Sequence, residues 1–256
     1  MKFLKKNISL LRKVESGFLM LNKKKIVVTG GTGRFGKILK KQVGKEFFFP
    51  NKRELNILKL NSAIKYLKKI KPKYLIHLAG LSRPLSNHDK DIEKSIKLNI
   101  IGTANITIAC SKLNIKLIFF SSSYVYPGLK GNYKEEDPLL PSNNYAWSKL
   151  GGESAVKMYK NSLILRVSMT EKPFIHEFAF ADMKTNFIFH EDFVKIFKKV
   201  LHLKGVLNIG GPTKTVYDFA KKYNKKVKKK YLKKVNKKLP LNTSMNLSKI
   251  NKFLNR

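Results

Sequence analysis

A chain of 256 residues carries 54 Lys and Arg against 16 Asp and Glu, a formal charge of +38, with 43% apolar residues and one cysteine, Cys110. That length suits a well-buried α/β domain with a modest second lobe; the lone cysteine excludes an internal disulfide and fits a reducing cytoplasm; and no apolar run approaches the roughly 18 residues of a membrane span. The excess charge is nearly all lysine, with six arginines, and reads as compositional drift rather than a phosphate-reading patch built on arginine's fork. Nucleic acid is therefore not the expected partner, the alternative being weak polyanion binding that fades with salt.

Residues 1–22 form an extension without a clear period, holding two small apolar groups, Ile8 to Leu11 and Phe18 to Leu21. Asn7, Arg12, Lys13 and Glu15 interrupt its basic start, which argues against a secretory signal. Organisation begins at Lys25-Ile-Val-Val-Thr29, a β-branched run that reads as a buried strand. It leads into Gly30-Gly-Thr-Gly33-Arg-Phe-Gly36 and a helix through about Val43. Gly30, Gly33 and Gly36 permit a tight turn, a close approach to a diphosphate and close helix-on-strand packing, and the helix N-terminus offers N–H groups to the anion. Thr32, Arg34 and Phe35 complete this candidate cofactor loop, Arg34 as an added phosphate contact.

A second strand is expected at Glu46 to Phe49, followed by Pro50, Asn51, Lys52 and Arg53. Two cations and no carboxylate before Glu54 suit a 2′-phosphate, so NADP(H) is favoured over NAD(H). NAD(H) stays as the alternative because Lys52 and Arg53 also belong to the general lysine excess. The spacing of Ile64, Leu67 and Ile70 predicts a helix over Asn61 to Ile70, ended by Lys71-Pro72.

Tyr74 to Gly80 reads as a third buried strand running into Leu78, Ala79 and Gly80, small enough at its end for the backbone to pass close to the cofactor. His77 inside it is expected to be a core histidine with one satisfied nitrogen. The loop Leu81 to His88 carries Ser82 and Arg83 at a strand's carboxyl end, where doubly wound sheets bind ligands, so Arg83 is a candidate for an anionic part of the substrate, a surface arginine being the alternative. Asp89 to Asn114 is predicted as one long helix with an apolar face of Ile92, Ile96, Ile100, Ala104 and Ile108. Asn99 on it should hydrogen-bond in the interior.

Lys116 to Phe120 is the fourth strand and delivers Ser121, Ser122 and Ser123; Leu163 to Val167 and Gly205 to Ile209 are the fifth and sixth. This alternation predicts an α/β fold, a Rossmann-type doubly wound parallel sheet with a small C-terminal substrate-binding lobe. Residues 23–166 would form the dinucleotide-binding part and 167–256 a short substrate-binding region interleaved with the last strand and helices.

Tyr145 and Lys149 stand one helical turn apart, so both project from one face. A phenol gives up its proton at a pKa of about 10, and a lysine cation beside it is expected to favour the phenolate. With a serine hydroxyl aimed at the same point, the set makes a proton-transfer device for alcohol and ketone chemistry. Tyr-x-x-x-Lys is common in a lysine-rich chain and also describes an ordinary exposed helix face. Its weight comes from order: glycine loop first, serine-ended strand next, then the pair.

TGGTGRFG, RELNIL, HLAG, KLNIIGT, SSSYVYPG, YKEEDPLLPSNNYAWSKLGGE and LILRVS, in this order, resemble the extended short-chain dehydrogenases/reductases. Within that superfamily the likeness is to dTDP-4-dehydrorhamnose reductases and their sugar-nucleotide-binding, epimerase/dehydratase relatives, and RELNIL and SSSYVYP also resemble GDP-fucose synthase. It covers residues from about 24 to 254. The resemblance implies that Tyr145 is the general acid/base, Lys149 its partner on the nicotinamide ribose, and Ser122 the hydroxyl on the substrate oxygen, with Ser121 and Ser123 as alternatives. It implies a supporting role for Asn99 and places Asn56 and Ile57 along the adenine. The implied activity is reduction of a nucleotide-linked 4-keto-6-deoxy sugar for cell-surface polysaccharide precursors, with epimerisation or a silent regulatory subunit as alternatives. Ser82, Arg83, Ser123, Tyr124 and His176 are the candidate substrate contacts, no metal is expected, and the sequence allows a homodimer.

The chain departs from the family between Val167 and Glu191, where relatives spend a longer segment on the nucleotide-sugar pocket. Lys172, His176 and His190 there are candidates for a ligand, each weighed against a surface or capping role. Lys221 to Lys238 holds eleven lysines and no acid, and is expected to be a solvated amphipathic helix or a loose connector.

Overall fold

The computed structural model describes residues 25–43, 47–235 and 239–254. The 1–22 extension, Glu46 of the second strand and residues 236–238 of the lysine-rich stretch lie outside the described residues. Six parallel strands form the central sheet: β1 (Ile26–Thr29), β2 (Phe47–Phe48), β3 (Tyr74–His77), β4 (Lys116–Ser122), β5 (Ser162–Val167) and β6 (Gly205–Ile209). Their spatial order is 6-5-4-3-1-2. Apolar side chains leave both faces of each strand, which is why the runs read as nearly continuous hydrophobic stretches.

The helices are α1 (Arg34–Val43), α2 (Leu60–Ile70), α3 (Asn87–Lys90), α4 (Ile92–Ile96), α5 (Gly102–Lys112), α6 (Asn144–Lys157), α7 (His190–Val200), α8 (Val216–Tyr223) and α9 (Ser248–Leu254). Ile26, Val28, Ile118 and Phe120 pack under α1, α7 and α9 through Leu39, Phe193, Phe197 and Ile250. Val27, Leu75, Leu117 and Phe119 pack on the other face under α2, α5 and α6 through Leu67, Ile106 and Val156. The strand order turns outward in opposite directions from β1 and β3, so a crevice opens past their carboxyl ends.

The glycine turn after β1 is forced by close packing. Gly30 has φ +76°, and a Cβ there would lie 2.5 Å from the Ala79 nitrogen, while a Cβ on Gly36 would lie 2.4 Å from the Gly30 oxygen. Only glycine lets the turn, α1 and the end of β3 meet this closely.

The single long helix expected from Asp89 to Asn114 is broken. Asp91 leaves helical geometry and its carboxylate accepts from Lys94 N at 2.9 Å, starting a new helix, and Lys97–Ile101 then forms a π-turn before α5. The expected apolar face is also turned outward, with Ile92, Ile96 and Ile108 exposed. The buried stripe is Ser95, Asn99, Thr103, Ile106 and Cys110. Small residues win because α6 approaches so closely that a Cβ on Gly152 would lie 2.5 Å from the Asn99 oxygen.

A third apolar cluster, including Phe174, Met183, Phe189, Phe219, Val227 and Leu232, sits under the segment after β5. The lysine-rich stretch joins it instead of forming one helix or a loose connector. Lys228–Lys230 is a short strand parallel to Phe178–Phe180, and Val227 and Leu232 anchor it while the lysines stay exposed. Asp182 accepts from the backbone N–H groups of Leu232 at 2.7 Å and Lys233 at 3.1 Å. Among the described residues no helix is long and apolar enough to cross a membrane.

Candidate active site

At the carboxyl edge of the sheet lies a cavity of about 250 Å³. The glycine turn contributes Gly30, Gly33, Arg34, Phe35 and Gly36; the end of β3 contributes Leu78, Gly80, Ser82 and Arg83. Ser121, Ser122, Ser123 and Tyr124 enter from β4, and Tyr145 and Lys149 from α6. α6 starts immediately before Tyr145 because the Asn143 side chain accepts from Ala146 N at 3.0 Å, capping its first turn.

Tyr145 shares a hydrogen bond with the Ser122 hydroxyl, whose oxygen also accepts from Tyr124 N at 3.2 Å. Of the serine triplet, Ser122 is therefore the one joined to the phenol. Ser121 Oγ, also opening on the cavity, is buried without a partner among the described residues. The Lys149 amine rests 4.3 Å from the centroid of the Phe119 ring. Burial pushes its pKa down to about 8, with Glu153 pulling it back up.

The electrostatics differ from the expected Tyr–Lys pairing. Burial raises the Tyr145 pKa, and the influences that lower it are the Ser122 hydrogen bond and the charges of Arg83 and Arg34. Desolvation outweighs these lowering influences, so the phenol of the ligand-free protein keeps its proton.

Asn99 hydrogen-bonds in the interior as expected. Its Oδ1 accepts from Leu81 N at 2.7 Å, and its Nδ2 donates to Leu81 O at 2.9 Å and Ser148 Oγ at 2.8 Å. Ser148 in turn donates to the Tyr145 carbonyl at 2.7 Å. Asn99 thus ties the β3 loop to the start of α6 without lining the cavity. His77 has partners on both nitrogens, not one: Nδ1 lies 2.7 Å from Thr29 Oγ1 and Nε2 lies 3.1 Å from Thr103 Oγ1. Burial, with Lys149 nearby, pushes its pKa down to about 3.

Several predicted residues lie away from the cavity. Thr32, Lys52 and Arg53 are exposed, the last two in a turn where Asn51 Oδ1 accepts from Arg53 N at 2.8 Å and Glu54 N at 3.1 Å. Ala79 is half-buried beside the glycine turn. Asn56 accepts from Leu58 N at 3.0 Å, and Ile57 packs against Gly102. His176 is exposed against Phe174, 5.3 Å between rings. His190 lines the cavity instead, buried with its ring 5.6 Å from Phe35.

Two groups had no signal in the sequence. His88 is buried behind Tyr145, 5.2 Å between rings, with Nδ1 2.6 Å from Ser95 Oγ and Nε2 3.3 Å from Ser82 O. Glu171, on the segment after β5, reaches Arg34 Nε at 3.7 Å and Arg83 Nη1 at 3.8 Å across the mouth. Beneath the site, Arg166 on β5 pairs with Glu153 at 2.6 Å, both side chains 4% exposed, and donates to Tyr126 Oη at 2.8 Å and Glu135 O at 2.9 Å. Among the described residues no group of carboxylate, histidine and cysteine side chains is placed to hold a metal.

Residues 24–189 match the model of the RmlD substrate binding domain. The chain belongs to the RmlD substrate-binding-domain family. Among relatives of this family member, the spore coat polysaccharide biosynthesis protein SpsK of Bacillus subtilis is 28% identical over 198 residues, 75% of this chain and 65% of that protein. Methionine adenosyltransferase 2 subunit beta of Bos taurus is 28% identical over 145 residues, 52% of this chain and 42% of that one. The chain therefore spans less than two thirds of either relative's length. In fold it is similar to the dTDP-4-dehydrorhamnose reductase of Bacillus anthracis solved in complex with NADP, with a TM-score of 0.80 and 22% identity over 91% of this chain and 92% of that one. The parallel sheet and its helices are thus the Rossmann-type architecture expected from the alternation of strands and helices.

Proposed function

We propose that this RmlD-family chain is an NADP(H)-dependent reductase of a nucleotide-linked 4-keto-6-deoxy sugar, acting in the synthesis of cell-surface polysaccharide precursors. The observation that carries the reading is the arrival of Ser122, Tyr145 and Lys149 in the cavity that the glycine turn also lines. The turn fits a dinucleotide: Gly30 and Gly36 have no room for a Cβ, and the N-terminus of α1 faces the same space.

A dinucleotide held in this cleft would supply the hydride. Tyr145 then gives its proton to the sugar oxygen, a task suited to a phenol whose pKa burial has raised. Ser122, already joined to that phenol, holds the same oxygen. Lys149, as the ammonium, orients the ribose hydroxyls and offsets the charge left on Tyr145. Arg34, Thr32 and Phe35 would hold the diphosphate, Leu78, Ala79 and Gly80 the nicotinamide, and Asn56 and Ile57 the adenine. Exposed Lys52 and Arg53 take the 2′-phosphate, with NAD(H) as the alternative. Ser82, Arg83, Ser123 and Tyr124 face the sugar nucleotide, and His190 replaces His176 in that set. Residues 23–166 serve the cofactor and 167–256 the substrate, in a cytoplasmic protein whose exposed Ile92, Ile96 and Ile108 give a homodimer an apolar face to bury.

The test is incubation with NADPH or NADH and a panel of nucleotide-linked 4-keto-6-deoxy sugars, following oxidation of the cofactor and reduction of the sugar. NADPH consumption dependent on one of these sugars is expected; no consumption with any of them overturns the reading. A second reading, a dinucleotide-binding subunit without chemistry, is favoured by the likeness to a protein named as a subunit beta and by the short segment after β5. The same NADPH consumption excludes it.

A further inference from the structure

Arginine is scarce in this chain, and its placement is informative. Of the six, Arg12 and Arg256 lie outside the described residues, Arg53 is exposed after β2, and Arg166 is buried with Glu153. The other two, Arg34 on the glycine turn and Arg83 after β3, come from separate loops and turn toward one carboxylate, Glu171. Arg34 Nη2 also donates to Ser82 Oγ at 3.1 Å. All four residues line the cavity.

We propose that Arg34 and Arg83 form a single seat for a diphosphate, and that Glu171 occupies this seat in the ligand-free protein until the diphosphate displaces it. The inference deepens the reading of the cleft as a nucleotide site and rests on it. One carboxylate faces two guanidiniums, so the mouth keeps an excess positive charge. Each Glu171 oxygen meets a different arginine, at 3.7 and 3.8 Å, beyond hydrogen-bond length and without the paired bonds that make arginine–carboxylate contacts strong. The arginine side chains are 42% and 38% exposed, so water and salt screen these pairs. A diphosphate brings more charge and more acceptor oxygens, and it suits two planar forks approaching from two loops. Composition alone does not put a carboxylate there: with 16 acids against 54 bases, a cleft arginine meets a carboxylate only where one has been placed.

The diphosphate belongs either to the dinucleotide, which draws Arg83 out of the sugar-nucleotide set, or to the sugar nucleotide, which draws Arg34 out of the cofactor set, and the test separates the two. NADPH, dTDP and inorganic pyrophosphate are titrated calorimetrically into the wild type, Glu171→Gln and Glu171→Asp at low salt, with thermal unfolding of each variant to show that it is folded. Losing the internal anion is expected to tighten pyrophosphate and at least one nucleotide by about three- to tenfold in Glu171→Gln. Glu171→Asp, too short to reach both arginines, should shift the same way by less. The gain should vanish at high salt and in a background carrying Arg34→Gln and Arg83→Gln. A gain for NADPH alone assigns the seat to the cofactor, and a gain for dTDP alone assigns it to the substrate. Wild-type binding of NADPH or dTDP with no gain for either nucleotide in Glu171→Gln overturns the displacement and leaves the dinucleotide reading standing. Failure of NADPH and dTDP to bind any of the proteins overturns that reading and the seat with it.

Discussion

Two arginine–carboxylate clusters bracket the cavity, and they are built oppositely. Beneath it, Arg166 and Glu153 are 4% exposed, 2.6 Å apart and further bonded to Tyr126 and the Glu135 carbonyl. At the mouth, Arg34, Arg83 and Glu171 are about a third or more exposed, with both contacts longer than 3.5 Å. Glu153 lies one turn beyond Lys149 on α6, so the inner cluster fixes the helix that carries Tyr145 and Lys149. The outer cluster joins the first residue of α1 to two loops through long, exposed contacts. A buried pair costs a great deal to break because the surviving charge is stranded, whereas an exposed pair is exchangeable.

The inner cluster should give the largest effect. Glu153→Ala should lower stability by about 3–5 kcal/mol in denaturant unfolding, by stranding Arg166 in the interior; a loss below about 1 kcal/mol would make the two clusters equivalent. His77, on the same buried side, gives the next effect. Its folded pKa of about 3 lies below the ordinary value, so the neutral form belongs to the fold. Its contribution is complete above about pH 6.5 and is lost as the pH falls toward 3, reaching about 2 kcal/mol at pH 5. Thermal unfolding from pH 7 to 5 should show this slope, and His77→Gln should flatten it.

Lys149 joins the two regions. Its pKa of about 8 means that the ammonium is lost as pH rises through 8, so NADPH affinity should fall by up to about tenfold between pH 7 and 9. Lys149→Met should remove that dependence; a profile that persists in the mutant would place the titration elsewhere. The smallest effect belongs to the mouth, where Arg34→Gln should change stability by less than about 0.5 kcal/mol. A large loss there would mean that the outer cluster is structural too.

The sequence showed the sheet well, for a physical reason. Parallel strands covered on both faces must be apolar along their length, so the runs at Ile26, Tyr74, Lys116, Leu163 and Gly205 stand out. The residues of the cavity were legible through order, because the glycine turn, the serine-ended strand and the Tyr145–Lys149 spacing all come from adjacent elements of one fold. Periodicity located the helix after Asp89, but it does not say which stripe faces inward. Gly151 and Gly152 on α6 decided that, leaving Ile92, Ile96 and Ile108 outside. Main-chain pairing of Lys228–Lys230 with Phe178–Phe180 leaves no apolar alternation to read. Glu171 and His88 meet the site through contacts made only in three dimensions, whereas His190 was already a candidate, and the Tyr145 pKa follows burial, which pairwise spacing ignores.

One phenol is proposed to perform the proton transfer, in a cavity that binds the dinucleotide independently of it. NADPH affinity and sugar-dependent turnover, measured side by side for the wild type and Tyr145→Phe, test this most directly. Affinity should be almost unchanged while turnover drops by at least about 10²-fold. A mutant as active as the wild type would contradict the account.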